Sequence, residues 1–252
     1  MCYGEAARLV TALPRRVSNE ALLAEAGWQT FASRHESYTL NLAHRIVTRL
    51  PDEHPLRRQR QQVAFGGRIH ASATEALFGE SNEDVTAAFG RTDKNFKAAV
   101  KARASALQRR ELELSSKRSA QLLAEVLPTG RSAHFTAGPR RWSSMMSRLR
   151  VGASPLNADA YRHGLCAVAK CPHCDAGVDE GRSHFLLECP KWATQRARLW
   201  DEIRTGDVDV DLPCDTATLL GSDEAVAGRR QLTTVAEATQ HFLAATGRFD
   251  AN

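Results

Sequence analysis

Four residues in the C-terminal half have the types and spacing of a metal site. Cys171, Cys174, His184 and Cys189 follow the pattern C-x2-C-x9-H-x4-C within KCPHCDAGVDEGRSHFLLECP. Zinc takes four tetrahedral ligands, and thiolate sulfur and imidazole nitrogen both suit it. A C-x2-C turn brings two thiolates together and offers backbone N–H groups to their charge. Asp175, Gly177 and Gly181 allow the intervening chain to reverse. His184 is expected at the start of a helix, with its ring facing back toward the turn. Cys189 follows about one and a half helical turns later and reaches the same centre if the helix bends, for which Pro190 supplies a cause. Four protein ligands leave no open position for water, so one structural zinc is expected. Its binding energy would fix a small region with little core of its own.

A rival chemistry uses the same cysteines. Cys-Pro-His-Cys also occurs as a redox dithiol, in which a lowered thiol pKa drives disulfide exchange. That chemistry sits between a strand and a helix, whereas RHGLCAVAK gives a weak strand signal and no βαβ pattern surrounds it. His173 is expected to point to solvent rather than to metal. Cys166 is a poorer-spaced substitute ligand, and Cys2 and Cys214 read as ordinary free thiols.

The elements that must position this centre read as helices. Ser18 can cap a helix carrying Glu20 and Glu25, with Gly27 just past its end. A second helix is expected over 32–49, with Tyr38, Leu42 and Ile46 on one face, stopping before Pro51. Residues 51–94 are mixed, with turns at Gly66-Gly67 and in GESNED. Residues 95–127 lack Pro and Gly and read as one long or broken helix ending before Pro128. The segment PTGRSAHFTAGPRR reads as a hinge. Further helices are expected over 142–150, from His184 through Trp192, Leu199 and Ile203, and over 230–246. In the last, Leu232, Val235, Phe242 and Leu243 face inward and Gly247 follows the end. GDVDVDLPC reads as a loop or short strand with its carboxylates on one side. The predicted fold class is mainly α, with strand confined to the metal site.

Composition narrows the partners. The chain is 42% hydrophobic and 25% charged, as in ordinary globular proteins, and only 6% aromatic, so its core must lean on Leu, Ala and Val. A net charge of +5 permits a nucleic-acid partner. Basic residues cluster at Arg57, Arg58 and Arg60, along 97–118, and at Arg140, Arg141, Arg148 and Arg150. No apolar run approaches the roughly 20 residues of a membrane helix. Glu5 and Arg8 interrupt any secretory pattern at the start. The protein is therefore expected to be intracellular, with no membrane partner; the nucleus is the expected compartment. In a reducing compartment clustered cysteines favour metal over disulfides.

Three stretches together resemble the C-terminal region of non-LTR (LINE-type) retrotransposon reverse transcriptases. They are LPRRVSNEALLAEAGW (13–28), SRLRVGASPLNADAYRHG (147–164) and CPHC…SHFLLECPKW (171–192); the ending EATQHFLAATGRF (237–249) adds to the likeness. The resemblance implies a helical thumb-like or linker segment, then a small zinc knuckle with C-terminal helices. It divides the chain into a connector over 1–127, a hinge over 128–139, and a part over 140–252 that holds the Arg-rich helix, the knuckle and the last helices. It implies that Cys171, Cys174, His184 and Cys189 are metal ligands and that the knuckle assists reverse transcription by binding nucleic acid. Arg148, Arg150, Asn157, Tyr161, Arg162 and His163 fall in the motif just before it. Their chemistry agrees in kind: with Arg140 and Arg141, the guanidinium groups suit phosphate oxygens, and an exposed Tyr161 could stack on a base. RNA or DNA, held largely through phosphates, is the expected partner, with the polymerase domains of a longer parent protein as another.

One departure bears on catalysis. Reverse transcriptases hold two divalent metals on paired palm aspartates, and this sequence contains no adjacent aspartate pair. The expectation is a non-catalytic, zinc-binding, nucleic-acid-binding fragment. The alternatives are a structural module docking on polymerase domains and the dithiol redox protein.

Overall fold

The computed structural model describes residues 3–51, 53–55, 93–128, 132–226 and 228–250. The chain is mainly helical, as the periodicity predicts. Among the described residues the extended pairing is a single antiparallel bridge, Lys170 to Asp179, at the expected metal site. No described helix is long and apolar enough to cross a membrane. The expected turns at 66–67 and 79–84 and the arginines at 57, 58 and 60 lie outside the described residues.

The chain forms two compact units, Met1–Trp28 with Glu111–Asn252, and Gln29–Arg110. Compactness thus cuts the chain elsewhere than at 127 and 140. The reason is a shared core: Ala21, Leu22 and Leu123 are buried in one cluster with Leu149, Phe185 and Leu243.

In the larger unit, α1 (Tyr3–Thr11) and α2 (Asn19–Glu25) pack side by side. Ser18 caps α2 as expected, its Oγ accepting from Ala21 N at 3.3 Å, and Gly27 ends it at φ +71°. In the other unit α3 (Phe31–Arg49) starts at Thr30, whose Oγ1 accepts from Ser33 N at 3.4 Å. Leu40 and His44 bury there with Phe96 and Val100 of α4 (Asp93–Leu114). The His44 ring stacks 4.0 Å from Phe96, and Arg103 pairs with Glu36 at 3.1 Å. Tyr38 and Leu42, placed by the four-residue spacing on one face with Ile46, are exposed while Ile46 is buried. Steps of four drift about 40° per repeat, and the buried face instead carries Ser33, Leu40 and His44.

The stretch 95–127 is a broken helix. It stops at Leu114, Ser115 Oγ accepts from Lys117 N at 3.2 Å, and α5 (Arg118–Ala124) restarts. In the segment expected to be a hinge, 129–131 lie outside the described residues. Its 3-10 turn Ala133–Phe135 is packed rather than loose, with Ala133 and His134 buried against α6 (Arg140–Arg150) and the last helix. Then come α7 (Asn157–Arg162), α8 (Ala193–Thr205), α9 (Thr216–Leu219) and α10 (Arg229–Thr246). α8 and α10 lie alongside each other. Val235, Phe242 and Leu243 point inward as predicted, Leu232 is half-buried, and Gly247 ends α10 at φ +61°. The acidic stretch 207–211 is a loop: Val208 and Val210 lean on the core while Asp207, Asp209 and Asp211 alternate outward.

Candidate metal centre

The knuckle is a short reversal clamped onto the aromatic core. Cys171 N donates to Val178 O at 2.9 Å and Glu180 N to Ala169 O at 2.9 Å, which pairs the two arms around the Lys170–Asp179 bridge. Gly177, at φ +64°, supplies the left-handed turn that returns the chain. His184 does open a helical turn, but of π type, His184–Glu188, closed by Cys189 N donating to His184 O at 2.7 Å. That geometry replaces the proline bend. In an α-helix a residue five positions on lies about 140° around the axis. An i→i+5 hydrogen bond widens the turn to about 4.4 residues and brings His184 and Cys189 toward one side. Pro190 instead starts a separate 3-10 turn, Pro190–Trp192, so the expected continuous helix from His184 begins only at Ala193.

The result is a tight group. One ligand atom from each of Cys171, Cys174, His184 and Cys189 lies within 4.8 Å of all the others, and together they could hold a metal ion. Cys171 Sγ is 3.9 Å from Cys189 Sγ, and His184 Nε2 is 3.4 Å from Cys174 Sγ. Three of the four are buried and Cys174 is half-buried. Burial pushes the Cys171 thiol up to about 12, with the Cys174 and Cys189 sulfurs adding and the His173 backbone N–H opposing. A redox dithiol needs the reverse, a thiol made acidic. A cation at the centre would supply the missing positive charge. Cys166 stands outside the group, its thiol near the Asn157 and Val168 carbonyls. Cys214 is buried in the core, and burial, helped by Asp215, pushes it up to about 12. His173 does not point to solvent: its ring tilts over Trp192 at 5.3 Å, and Nε2 lies 3.7 Å from Glu180 Oε1.

Residues that no motif singled out hold the ligands. Phe185, between His184 and Cys189, is fully buried against Phe242 and Phe249, with ring centroids at 5.5 and 5.3 Å. Arg196 of α8 donates Nε to Leu186 O and Nη2 to Cys189 O, each at 2.8 Å, occupying carbonyls that the short π turn leaves open. Glu188 Oε2 lies 3.6 Å from His184 Nδ1, the ring nitrogen facing away from the sulfurs. Buried Glu180 accepts from Arg248 Nε at 2.7 Å and Nη2 at 2.8 Å, and from Asn157 N at 2.8 Å. This fork ties the chain end and α7 to the knuckle. Glu180→Ala should lower the unfolding free energy by about 2–3 kcal/mol in a urea titration, because it leaves a largely buried guanidinium unpaired. A loss within about 0.5 kcal/mol, the range of ordinary surface changes, would show the fork to be dispensable.

No protein-family model, curated protein or solved structure matches this chain.

The residues expected to contact nucleic acid part company. Arg150 is corrected outright. It is fully buried, donating Nε to Glu25 Oε2 at 2.9 Å, Nη2 to Ser132 Oγ at 3.3 Å, and Nη1 to Leu220 O. Sealed from solvent, it cannot reach a phosphate. Asn157 is also occupied, its Nδ2 donating to Lys170 O at 2.9 Å. Half-buried Arg148 reaches Ala12 O at 3.5 Å, and His163 Nε2 lies 3.2 Å from Gly152 O. Arg140, Arg141, Tyr161 and Arg162 are exposed. Arg140 donates to Leu9 O, Arg141 pairs with Asp250 at 2.7 Å, and Arg162 pairs with Asp159 at 2.8 Å. The fork of Glu180 and Arg248 had one sequence signal, a carboxylate inside the ligand loop, but its partner lies 68 residues away.

Proposed function

We propose that the chain is a non-catalytic, zinc-stapled module that binds RNA or DNA, of the kind found in the C-terminal region of non-LTR retrotransposon reverse transcriptases, and that it acts in the nucleus. The observation that carries the reading is the spacing of the four ligand atoms. Tetrahedral ligands at Zn–S about 2.3 Å and Zn–N about 2.0 Å lie about 3.8 Å apart for two sulfurs and about 3.5 Å for sulfur and nitrogen. The Cys171–Cys189 and Cys174–His184 separations, 3.9 and 3.4 Å, fit that edge length. Three thiolates and an imidazole disfavour calcium and magnesium, which prefer oxygen. Zinc would supply folding energy, and the chain's own groups would do the binding: Arg140, Arg141 and Arg162 toward phosphates and Tyr161, 55% exposed, toward a base. The absence of an adjacent aspartate pair from the sequence supports a non-catalytic role.

Fluorescence anisotropy with labelled single-stranded RNA and DNA at low salt tests the binding. Both should bind without strong sequence preference. Arg140→Ala with Arg141→Ala should weaken both and reduce the log–log salt slope by about 1.4, the value for two lost phosphate contacts on a single strand. No binding of either strand at low salt would end the reading.

A second reading, a module that docks on polymerase domains, is favoured by one surface. Phe31, Tyr38 and Leu42 of α3 are 85, 73 and 55% exposed along one helix face. A stable monomer that binds RNA counts against it.

A further inference from the structure

A cavity of about 450 Å³ opens in the larger unit, between the α1–α2 connection, the start of α5 and the turn between α6 and α7. Six cationic side chains line it: Arg8, Arg15, Arg16, Lys117, Arg118 and Arg162. His163, Ser18, Asn19, Ser116 and Ser119 add further polar groups, and no carboxylate belongs to the lining. Like charges gathered in one concave space repel unless an anion neutralises them, and concave walls concentrate the field.

The way these cations are held strengthens the case. Arg8 Nη1 donates to Pro14 O at 2.8 Å, and Arg16 Nη2 donates to Ala153 O at 3.2 Å. Those contacts orient the guanidinium groups without cancelling their charge. Arg162 shares a carboxylate, Asp159, at 2.8 Å. Arg15, Lys117 and Arg118 are exposed and have no ion-pair partner among the described residues. Gly152 lies in the wall at φ +66°, and a Cβ there would come within 2.4 Å of Leu122 Cδ1. The turn that sets Arg162 and His163 against the cavity is therefore one that glycine permits.

We propose that this cavity is a phosphate-binding site. Guanidinium forks match phosphate oxygens in pairs, and several cations around one space suit a ligand carrying more than one phosphate. The volume lies within the range of small-ligand sites. Two sources share this chemistry, the backbone of a nucleic-acid strand and a free polyphosphate. The site is separate from the metal centre and from Arg140 and Arg141, and shares only Arg162 with the proposed strand contacts, a residue that the test below leaves in place.

The test combines Arg15→Ala, Lys117→Ala and Arg118→Ala, three exposed residues whose side chains make no hydrogen bond or ion pair among the described residues. A control removes equal charge elsewhere, through Lys101→Ala, Arg198→Ala and Arg230→Ala. Both proteins and the wild type are titrated with a labelled single-stranded oligonucleotide at several salt concentrations, and with inorganic tripolyphosphate followed by thermal shift. If a strand occupies the cavity, the triple variant should bind the oligonucleotide at least about tenfold more weakly, with a salt slope smaller by about 2, while the control changes little. If the source is a free polyphosphate, the oligonucleotide affinity is unchanged and the tripolyphosphate-induced rise in melting temperature disappears in the triple variant alone. Equal effects in triple variant and control, or none in either assay, overturn the proposal. Oligonucleotide binding that survives both variants would leave the proposed function standing and remove the cavity from it.

Discussion

Purified under reducing conditions, the wild-type protein should carry one zinc per chain and Cys189→Ser close to none. Cys189 is the ligand to remove because it is fully buried, closes the π turn through its N–H, and has its carbonyl held by Arg196. A serine hydroxyl in its place is a poor zinc ligand and leaves three groups to hold the ion. Structural zinc contributes apparent binding energies of about 10–16 kcal/mol, and in such sites binding energy is folding energy. Losing even about 4 kcal/mol of it should lower the melting temperature by about 10 °C in a chain of this size. A chelator should produce the same shift in the wild type and none in the variant. Cys166→Ser, which removes a thiol outside the ligand group, should keep its zinc. A wild-type protein free of zinc, with Cys171 and Cys174 readily alkylated, would sink the zinc reading and bring the dithiol forward.

How the sequence exposes some of this and hides the rest follows from what each feature depends on. The four ligands are legible because metal chemistry is written in residue type and short spacing. The π turn is not, since HFLLE would serve equally well as the first turn of an α-helix, and the difference is one extra residue per turn. Caps such as Ser18 and Gly247 are local and legible for the same reason as the ligands. Arg150 misleads because RLRVG reads as an arginine-rich surface, and burial is decided by a partner 125 residues earlier. Tyr38, Leu42 and Ile46 mislead because apolar spacing defines a face without saying which face finds a neighbour. The cavity cations come from three separated stretches, so no window of sequence contains them together.

Glu25→Gln should destabilise the fold by about 3–5 kcal/mol, the usual result of stripping the counter-charge from a buried ion. Glu25, His134 and Arg150 are all essentially without solvent contact. Arg150 Nε donates to Glu25 Oε2 at 2.9 Å, while His134 Nε2 lies 3.0 Å from Glu25 Oε1. Burial alone would raise the Glu25 carboxyl. The Arg150 guanidinium, then His134, outweigh it and hold it at about 2 against an ordinary 4.5. That difference corresponds to stability on the order of 3 kcal/mol, present above the unfolded-state value and lost as pH falls toward about 2. His134 is lowered, chiefly by its own burial, so the unfolded chain takes up its proton first and acid favours unfolding from about pH 6.5 downward. Wild type and variant should therefore differ most above about pH 5 and converge toward pH 2, as measured by urea titration across pH. Gly221 shows how closely the site is built: a Cβ there would lie 3.0 Å from Arg150 Nη1. Arg182 carries this arrangement onward, donating from the knuckle to Arg150 O at 3.3 Å. If Glu25→Gln left stability unchanged, Arg150 would have to reach water on losing its partner. Replacing both charges, with Glu25→Leu and Arg150→Met together, should recover much of the loss, since desolvating an ion pair costs about as much as its attraction returns. A double variant as unstable as Glu25→Gln would instead assign the energy to the hydrogen bonds that Arg150 makes to Ser132 and Leu220. Arg150 would then act chiefly as a clamp on the turns around it, and only secondarily as a charge.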